Sequence, residues 1–300
     1  MQKIIPHLWF DKEAIEAAEF YTSAFPDSKV LYKTQIKDTP SGDCDIVGFE
    51  VMGYSFMAIS AGPLFKFNPS ISIMVNFDPS QDKDARKRID DIWEKLLDGG
   101  KALMPLQEYP FSERYGWVED KYGFSWQLIY TKPEGDERPL IIPSMLFVTD
   151  TCDRAEEATD FYLSVFKDAK RGAIARYPAG AEAGGGKEGS VMFTDFKLEG
   201  QWFAAMDGSS KMHKFAFNEA VSLMVNCKDQ QEIDYYWEKL SAVPESEQCG
   251  WVKDRYGVSW QIVPENMNEL MGKNPEKTTP AMLKMKKLII ADLKKAGEKK

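Results

Sequence analysis

The sequence predicts an α+β fold of two tandem domains, each made of two βαβββ units, followed by a helical tail. Three observations carry this. The stretch Gly116–Ile129 (GWVEDKYGFSWQLI) returns as Gly250–Val263 (GWVKDRYGVSWQIV), with nine of fourteen positions identical, so the chain is a tandem duplication. Strand-like and helix-like periodicities alternate in the order βαβββ twice within the first half. A polar stretch, Thr131–Pro139, then precedes a replay of the same order. The boundaries are 1–131 for the first domain, 132–139 for the linker, 140–265 for the second domain and 266–300 for the tail.

In the first unit, Ile4 to Phe10 reads as a strand. Ala14, Ala17, Ala18, Tyr21 and Phe25 form an apolar stripe at helical spacing, ended by Pro26 and Asp27. Strands follow at about 30–36, 46–51 and 55–60, with Met52-Gly53 as a hairpin turn. The second unit opens with a strand, Ile71 to Phe77. A helix is expected from Ser80 to Leu97, with Ala85, Ile89, Ile92, Trp93 and Leu96 on one face and Asp98-Gly99-Gly100 as its stop. Strands are expected near 103–108, 114–119 and 124–130. DKYG and DRYG sit between the last two strands of each half, where Asp and Gly suit a turn.

The second half matches by register. Ile142–Phe147 (IPSMLF) answers Ile5–Phe10 (IPHLWF), and Phe161-Tyr162 answers Phe20-Tyr21. Phe215–Asn226 (FAFNEAVSLMVN) answers Phe65–Asn76 (FKFNPSISIMVN). Asp229 and Glu232 have capping-box spacing. In the tail, Thr279-Pro280 predicts a helix start, with Met282, Met285, Ile289 and Leu293 at helical spacing. Residues 273–300 carry nine lysines against three acids, a net +6 that leaves −15 on the rest of a chain whose formal charge is −9. A helix docked on its own acidic body is favoured over a membrane-surface or partner helix.

Composition bounds the function. The chain is 43% hydrophobic and 28% charged, with pI near 5.0. Its acidity argues against broad nucleic-acid binding. No apolar run approaches a membrane span. The amino-terminal residues lack a signal-peptide pattern, so a cytoplasmic location is expected. Cys44, Cys152, Cys227 and Cys249 are scattered, which suggests reduced thiols.

The chemistry-bearing residues are few. His7 and His213 are the only histidines, and Ser144 stands opposite His7 in the repeat, so a duplicated His site is excluded. Asp120 and Asp254 suit turn-amide bonding better than catalysis. Trp117, Trp126, Trp251 and Trp260 read as core or cavity wall. Gln127 and Gln261 are polar residues inside apolar strands. A buried amide needs partners, so each either satisfies backbone groups or faces a ligand cavity. Ser72 and Ser222 pose the same question, and Asn68 and Asn218 read as loop organisers. The glycine-rich loop Ala179–Gly189 lacks a GK[ST] ending and does not open a helix. No GxGxxG follows a strand, so no Rossmann-type nucleotide or S-adenosylmethionine loop is expected, and no GxSxG elbow occurs.

These motifs, in this order and in both halves, resemble the PhnB-like branch of the vicinal oxygen chelate superfamily. That superfamily also holds glyoxalase I, extradiol dioxygenases and the fosfomycin- and bleomycin-resistance proteins. The resemblance covers nearly residues 1–265. It implies two glyoxalase-like domains whose βαβββ units build curved mixed sheets around clefts, with the two halves paired as a pseudo-dimer within one chain; further oligomerisation is left open.

The resemblance also implies where a metal would sit. The last-strand position, normally Glu, is Gln127 or Gln261. The middle-strand position falls at or next to Ser72 and Ser222. The first-strand position falls near Ile5 and Ile142, with His7 two residues along on the same face. None of these positions carries His, Asp, Glu or Cys, and neutral amides and hydroxyls cannot offset a divalent charge. The family is sometimes labelled a ubiquinone-pathway methyltransferase; nothing in the sequence supports methyl transfer.

The expected function is therefore metal-free binding of a small, partly apolar molecule, with no cofactor. One cleft is expected to be lined by His7, Trp9, Ser72, Met74 and Gln127, and the other by Ser144, Leu146, Ser222, Met224 and Gln261. The alternative is a metal-dependent lyase, isomerase or dioxygenase, which would need other ligands, such as His7 with Glu50 or Glu119. No catalytic residue is assigned.

Overall fold

The computed structural model describes residues 2–132, 138–181 and 186–298. Most of the expected linker and four residues of the glycine-rich loop therefore lie outside the described residues.

The first half runs β1(Ile4–Phe10), α1(Ala14–Ala24), β2(Lys29–Thr39), β3(Gly42–Val51), β4(Tyr54–Ser60), β5(Ile71–Phe77), α2(Ala85–Leu97), β6(Lys101–Tyr109), β7(Ser112–Glu119) and β8(Ser125–Tyr130). The second runs β9(Ile141–Phe147), α3(Ala155–Val165), β10(Lys170–Arg176), β11(Val191–Leu198), β12(Gln201–Asp207), β13(Val221–Cys227), α4(Gln230–Leu240), β14(Trp251–Lys253) and β15(Ser259–Pro264). The fourth unit has only three strands among the described residues, and the tail supplies α5(Met267–Gly272), α6(Pro275–Leu283) and α7(Ile290–Glu298).

Local chemistry explains the elements. Met52 (φ 51°) and Gly53 (φ 78°) hold the left-handed turn between β3 and β4, as expected. At α4, Asp229 accepts from the Glu232 amide (2.9 Å), while the Glu232 carboxylate accepts from the Lys228 amide (2.9 Å). Helix α2 starts five residues later than predicted. Asp78 and Asp82 accept from the amides of Ser80 and Asp84 (2.8 and 2.9 Å), local turns that compete with helix.

The tail also departs from expectation. Thr279-Pro280 does not start a helix; Pro275 occupies the first turn of α6 after Asn274, and Pro280 lies inside the helix. The Thr278 hydroxyl donates to the Asn274 carbonyl (2.9 Å) and so holds that first turn. A break at 284–289 then separates α6 from α7.

The strands form two mixed sheets. Sheet A has the order β14-β15-β13-β1-β4-β3-β2, and sheet B the order β10-β11-β12-β9-β5-β8-β7-β6. Each sheet takes one unit from each half. The join is antiparallel in both: His7 lies opposite Ser222 across β1–β13, and Ser72 opposite Ser144 across β5–β9. The pseudo-dimer is thus made by exchange of units between halves.

One continuous core links the helix-bearing faces of the sheets. Tyr21 of α1 touches Phe49 of sheet A and Trp126 of sheet B, at ring separations of 6.0 and 5.1 Å. Asn68 and Asn218 clasp the halves reciprocally. Asn68 donates to the Ala216 carbonyl (3.0 Å) and Asn218 to the Lys66 carbonyl (2.8 Å).

Candidate functional site

The repeated stretch places its residues on two opposite faces by strand alternation. Trp126 and Trp260 point to the helices, with Asp120 and Asp254. Asp120 accepts four hydrogen bonds: from the Tyr21 hydroxyl (2.8 Å), the Trp126 indole (3.0 Å), and the amides of Tyr122 (2.9 Å) and Phe124 (3.1 Å). Asp254 repeats this with Tyr162 (2.7 Å), Trp260 (2.9 Å), Tyr256 (2.8 Å) and Val258 (3.1 Å). Burial lifts the Asp120 carboxyl to about 6, against those donors, and lifts Asp254 likewise. Both are core nodes that tie the turn to a helix, in line with the turn role read from sequence.

The other face of each sheet carries the candidate site residues, in groups that differ from those expected. His7 and Trp9 share sheet A with Ser222, Met224 and Gln261. Ser144 and Leu146 share sheet B with Ser72, Met74 and Gln127. The expectation placed each cleft within one half; unit exchange between β1–β13 and β5–β9 regroups the residues across halves.

In sheet B, Met74 lies beside Gln127 on β8 and Ile142 on β9, while Ser144 lies between Ser72 and Ala204. The Gln127 amide donates to the Ser72 hydroxyl (2.8 Å), and its carbonyl accepts from the Tyr115 hydroxyl (2.7 Å). Burial pushes the Tyr115 phenol up, which keeps it a donor. Gln127, Ser72 and Ser144 are buried. Register shifts bend the β6–β7 and β10–β11 edge hairpins, and Tyr109 and Phe111 pack on Tyr115 at 5.6 and 5.0 Å. Met74, Ile142, Trp202 and Ala204 form the apolar part, with Ile129 and Phe193 against it. The Arg138 guanidinium covers the Trp202 ring at 4.0 Å and pairs with buried Asp195 (2.7 Å).

Three buried polar atoms on this face have no hydrogen-bond partner among the described residues: the Ser144 and Ser125 hydroxyls and the Trp117 indole nitrogen. Trp117 lies beside Gln127 in register. Native interiors leave few such atoms.

In sheet A, Gln261 donates to Ser222 (2.9 Å), repeating the pair in sheet B. His7 replaces Ser144, and its buried Nδ1 is likewise unpartnered. The ring sits edge-on to Trp251 at 5.6 Å, and burial lowers its pKa to about 3, so it is neutral. Trp9 donates its indole to the Gly62 carbonyl (2.8 Å) and packs on Phe65 and Trp251. The rest of this face is covered by the tail: Leu270, Met282, Leu288 and Leu293 pack on Met224 and Val263, with Ile5, Ile36 and Met57 beside them.

Tyr115 and Trp202 join the site without being expected there, and Trp117 and Trp251, expected as core or cavity wall, stand beside Gln127 and Gln261. Counting alternation back across the hairpin from Gln127 would have found Trp117 and Tyr115, and from Gln261 would have found Trp251. Trp202 has no repeat signal.

The residues do not fit a divalent ion. No group of three His, Cys, Asp or Glu converges among the described residues. Both ends of the Gln127 side chain are engaged, and the remaining donors are neutral hydroxyls. His7 lies in sheet A, whereas Glu119 lies in sheet B and pairs with Lys101 (2.8 Å); Glu50 pairs with Lys29 (3.2 Å). An open depression of about 450 Å³ between α1 and α2, lined by Lys87, Asp91 and Lys95, lies on the helix side.

A family profile described as 3-demethylubiquinone-9 3-methyltransferase matches residues 2–129 and again 139–263. Among solved structures, the PhnB protein from Bacillus cereus is 35% identical over 43% of this chain and 100% of its own, with a TM-score of 0.39. Glyoxalase I from Zea mays is 11% identical over 89% of this chain and 95% of its own, with a TM-score of 0.54, a likeness of fold. No curated protein matches.

Proposed function

The chain belongs to the family described as 3-demethylubiquinone-9 3-methyltransferase, the PhnB-like branch of the vicinal oxygen chelate superfamily, and from that premise we propose that it binds a small, partly apolar molecule in the cleft of sheet B without a metal. The family description names methyl transfer, but the glycine-rich loop Ala179–Gly189 leads into a strand, β11, and not into the helix that a Rossmann-type methyl-donor loop opens. The observation that carries the reading is the set of unpartnered buried groups on this face, Ser144 Oγ, Ser125 Oγ and Trp117 Nε1. Each costs about 1–3 kcal/mol while unpaired. A ligand with an acceptor for the indole and a group for the Ser144 hydroxyl relieves that cost. Met74, Ile142 and Trp202 would hold its apolar part.

The neutral polar set, Ser72, Gln127 and Tyr115, orients a ligand by hydrogen bonds and supplies no charge for Lewis-acid chemistry. The second reading, a metal-assisted lyase, isomerase or dioxygenase, rests on the superfamily alone.

The test follows the Trp117 indole N–H resonance while small aromatic ketones and amides are titrated. Binding moves this resonance, and Ser144→Ala with Gln127→Ala weakens binding. If the resonance stays fixed throughout while added zinc, nickel, manganese or iron shifts it, the metal reading replaces this one.

A further inference from the structure

We infer that the tail, residues 267–298, is a latch over a second binding site on sheet A, and that a neutral aliphatic molecule bearing one hydroxyl or carbonyl competes with it. The inference does not rest on the reading of sheet B, since its readouts lie in sheet A.

The lining is aliphatic. Leu270, Met282, Leu288 and Leu293 meet Met224, Val263, Ile5 and Met57. One register step along the same face from Ile5 and Met224 come His7 and Ser222. The tail fills the apolar part of this face and leaves the buried His7 Nδ1 without a partner. Ser144 Oγ, at the equivalent position on sheet B, is also unpartnered. A buried polar atom left orphaned at the same place in both sheets calls for a partner, which a ligand group would supply. Cys249 stands where Tyr115 stands in the first copy, so no tyrosyl hydroxyl engages Gln261 here. Beside a neutral imidazole, a neutral hydroxyl or carbonyl fits better than a charged head, which would be buried without a counter-ion.

The attachment is separable from the sheet. The tail stands in for the strand missing from the fourth unit: the amides of Cys249 and Gly250 donate to the carbonyls of Met285 (2.9 Å) and Lys286 (2.8 Å). Gln248 donates to Leu283 (2.7 Å), and Gln230 grips Leu288 and Ile290 (3.1 and 2.9 Å). Lys286–Glu247 (3.2 Å) and Lys287–Asp234 (2.6 Å) are surface pairs of small worth. Segments held this way open at lower free energy than core strands.

The experiment uses the full chain and amide hydrogen exchange, with 1-octanol as probe. Cys249 and Gly250 report the latch; Leu223 and Val225 report the sheet. The expected result is faster exchange at Cys249 and Gly250 than at Leu223 and Val225, a further rise on adding octanol, and a shift of the His7 ring resonances. In His7→Phe the octanol effect disappears. Leu288→Ala opens the latch more often and tightens octanol binding in proportion, about tenfold for a tenfold rise in opening. Equal exchange at all four amides, unchanged by octanol, overturns the inference, because the tail then opens only with the whole sheet. An octanol effect undiminished in His7→Phe overturns the assigned site.

Discussion

Gln127 donates its side-chain amide to the Ser72 hydroxyl at 2.8 Å while its carbonyl accepts from Tyr115 at 2.7 Å. Gln261 makes the same contact with Ser222 at 2.9 Å. A position where relatives of this fold are expected to place a metal-binding Glu is thus occupied, in both copies, by an amide bonded to its neighbours.

Gln127→Ala removes both contacts and strands Tyr115 and Ser72 in a buried setting. A loss of about 2–4 kcal/mol is expected, read as a lower urea midpoint at unchanged slope.

The two aspartate nodes are equivalent. Tyr21→Phe and Tyr162→Phe each remove one hydrogen bond to a buried carboxylate. Each is expected to cost about 1.5–3 kcal/mol, with the double variant near the sum because the nodes share no partner. Thermal or urea unfolding of the three variants checks this.

Asp120 gives a pH signature. Its folded pKa, about 6, lies above its ordinary 3.8, so the native state holds more protons between these values. Its contribution to stability is greatest below 3.8 and is lost as pH rises through 6. The Trp126 indole resonance, bonded to this carboxylate, should titrate with a midpoint near 6. A midpoint below 4 would mean that the four donors outweigh burial.

His7 has the opposite sign. Its pKa falls from 6.5 to about 3 on burial, so the unfolded chain takes up a proton that the native chain refuses. Stability is full above 6.5 and declines as pH falls toward 3. His7→Phe should flatten that acid limb, measured as unfolding free energy against pH.

Much of the fold was legible because the duplication exposes it. The first strand, the turn at Met52-Gly53 and the aspartate turn all follow from local chemistry. The sheet order was not legible: alternation says that His7 and Gln261 each face a cleft, but not that β1 pairs with β13, a contact between residues more than two hundred positions apart. The tail was read as a docked helix, and it docks. Its start was misplaced because Asn274-Pro275 and Thr279-Pro280 offer competing start signals, and Thr278 settles the choice by bonding Asn274. Alternation places the expected site residues on the sheet faces opposite the helices, but it does not tell which of them share a sheet, and no periodic signal ties Trp202 to Gln127.

Native mass spectrometry of the full chain, purified without added metal, tests the metal-free binding account most directly. The account predicts a mass increment from a small organic molecule that disappears in the Ser144→Ala, Gln127→Ala variant, with no divalent ion. One divalent ion per chain, lost in Gln127→Ala, would contradict it.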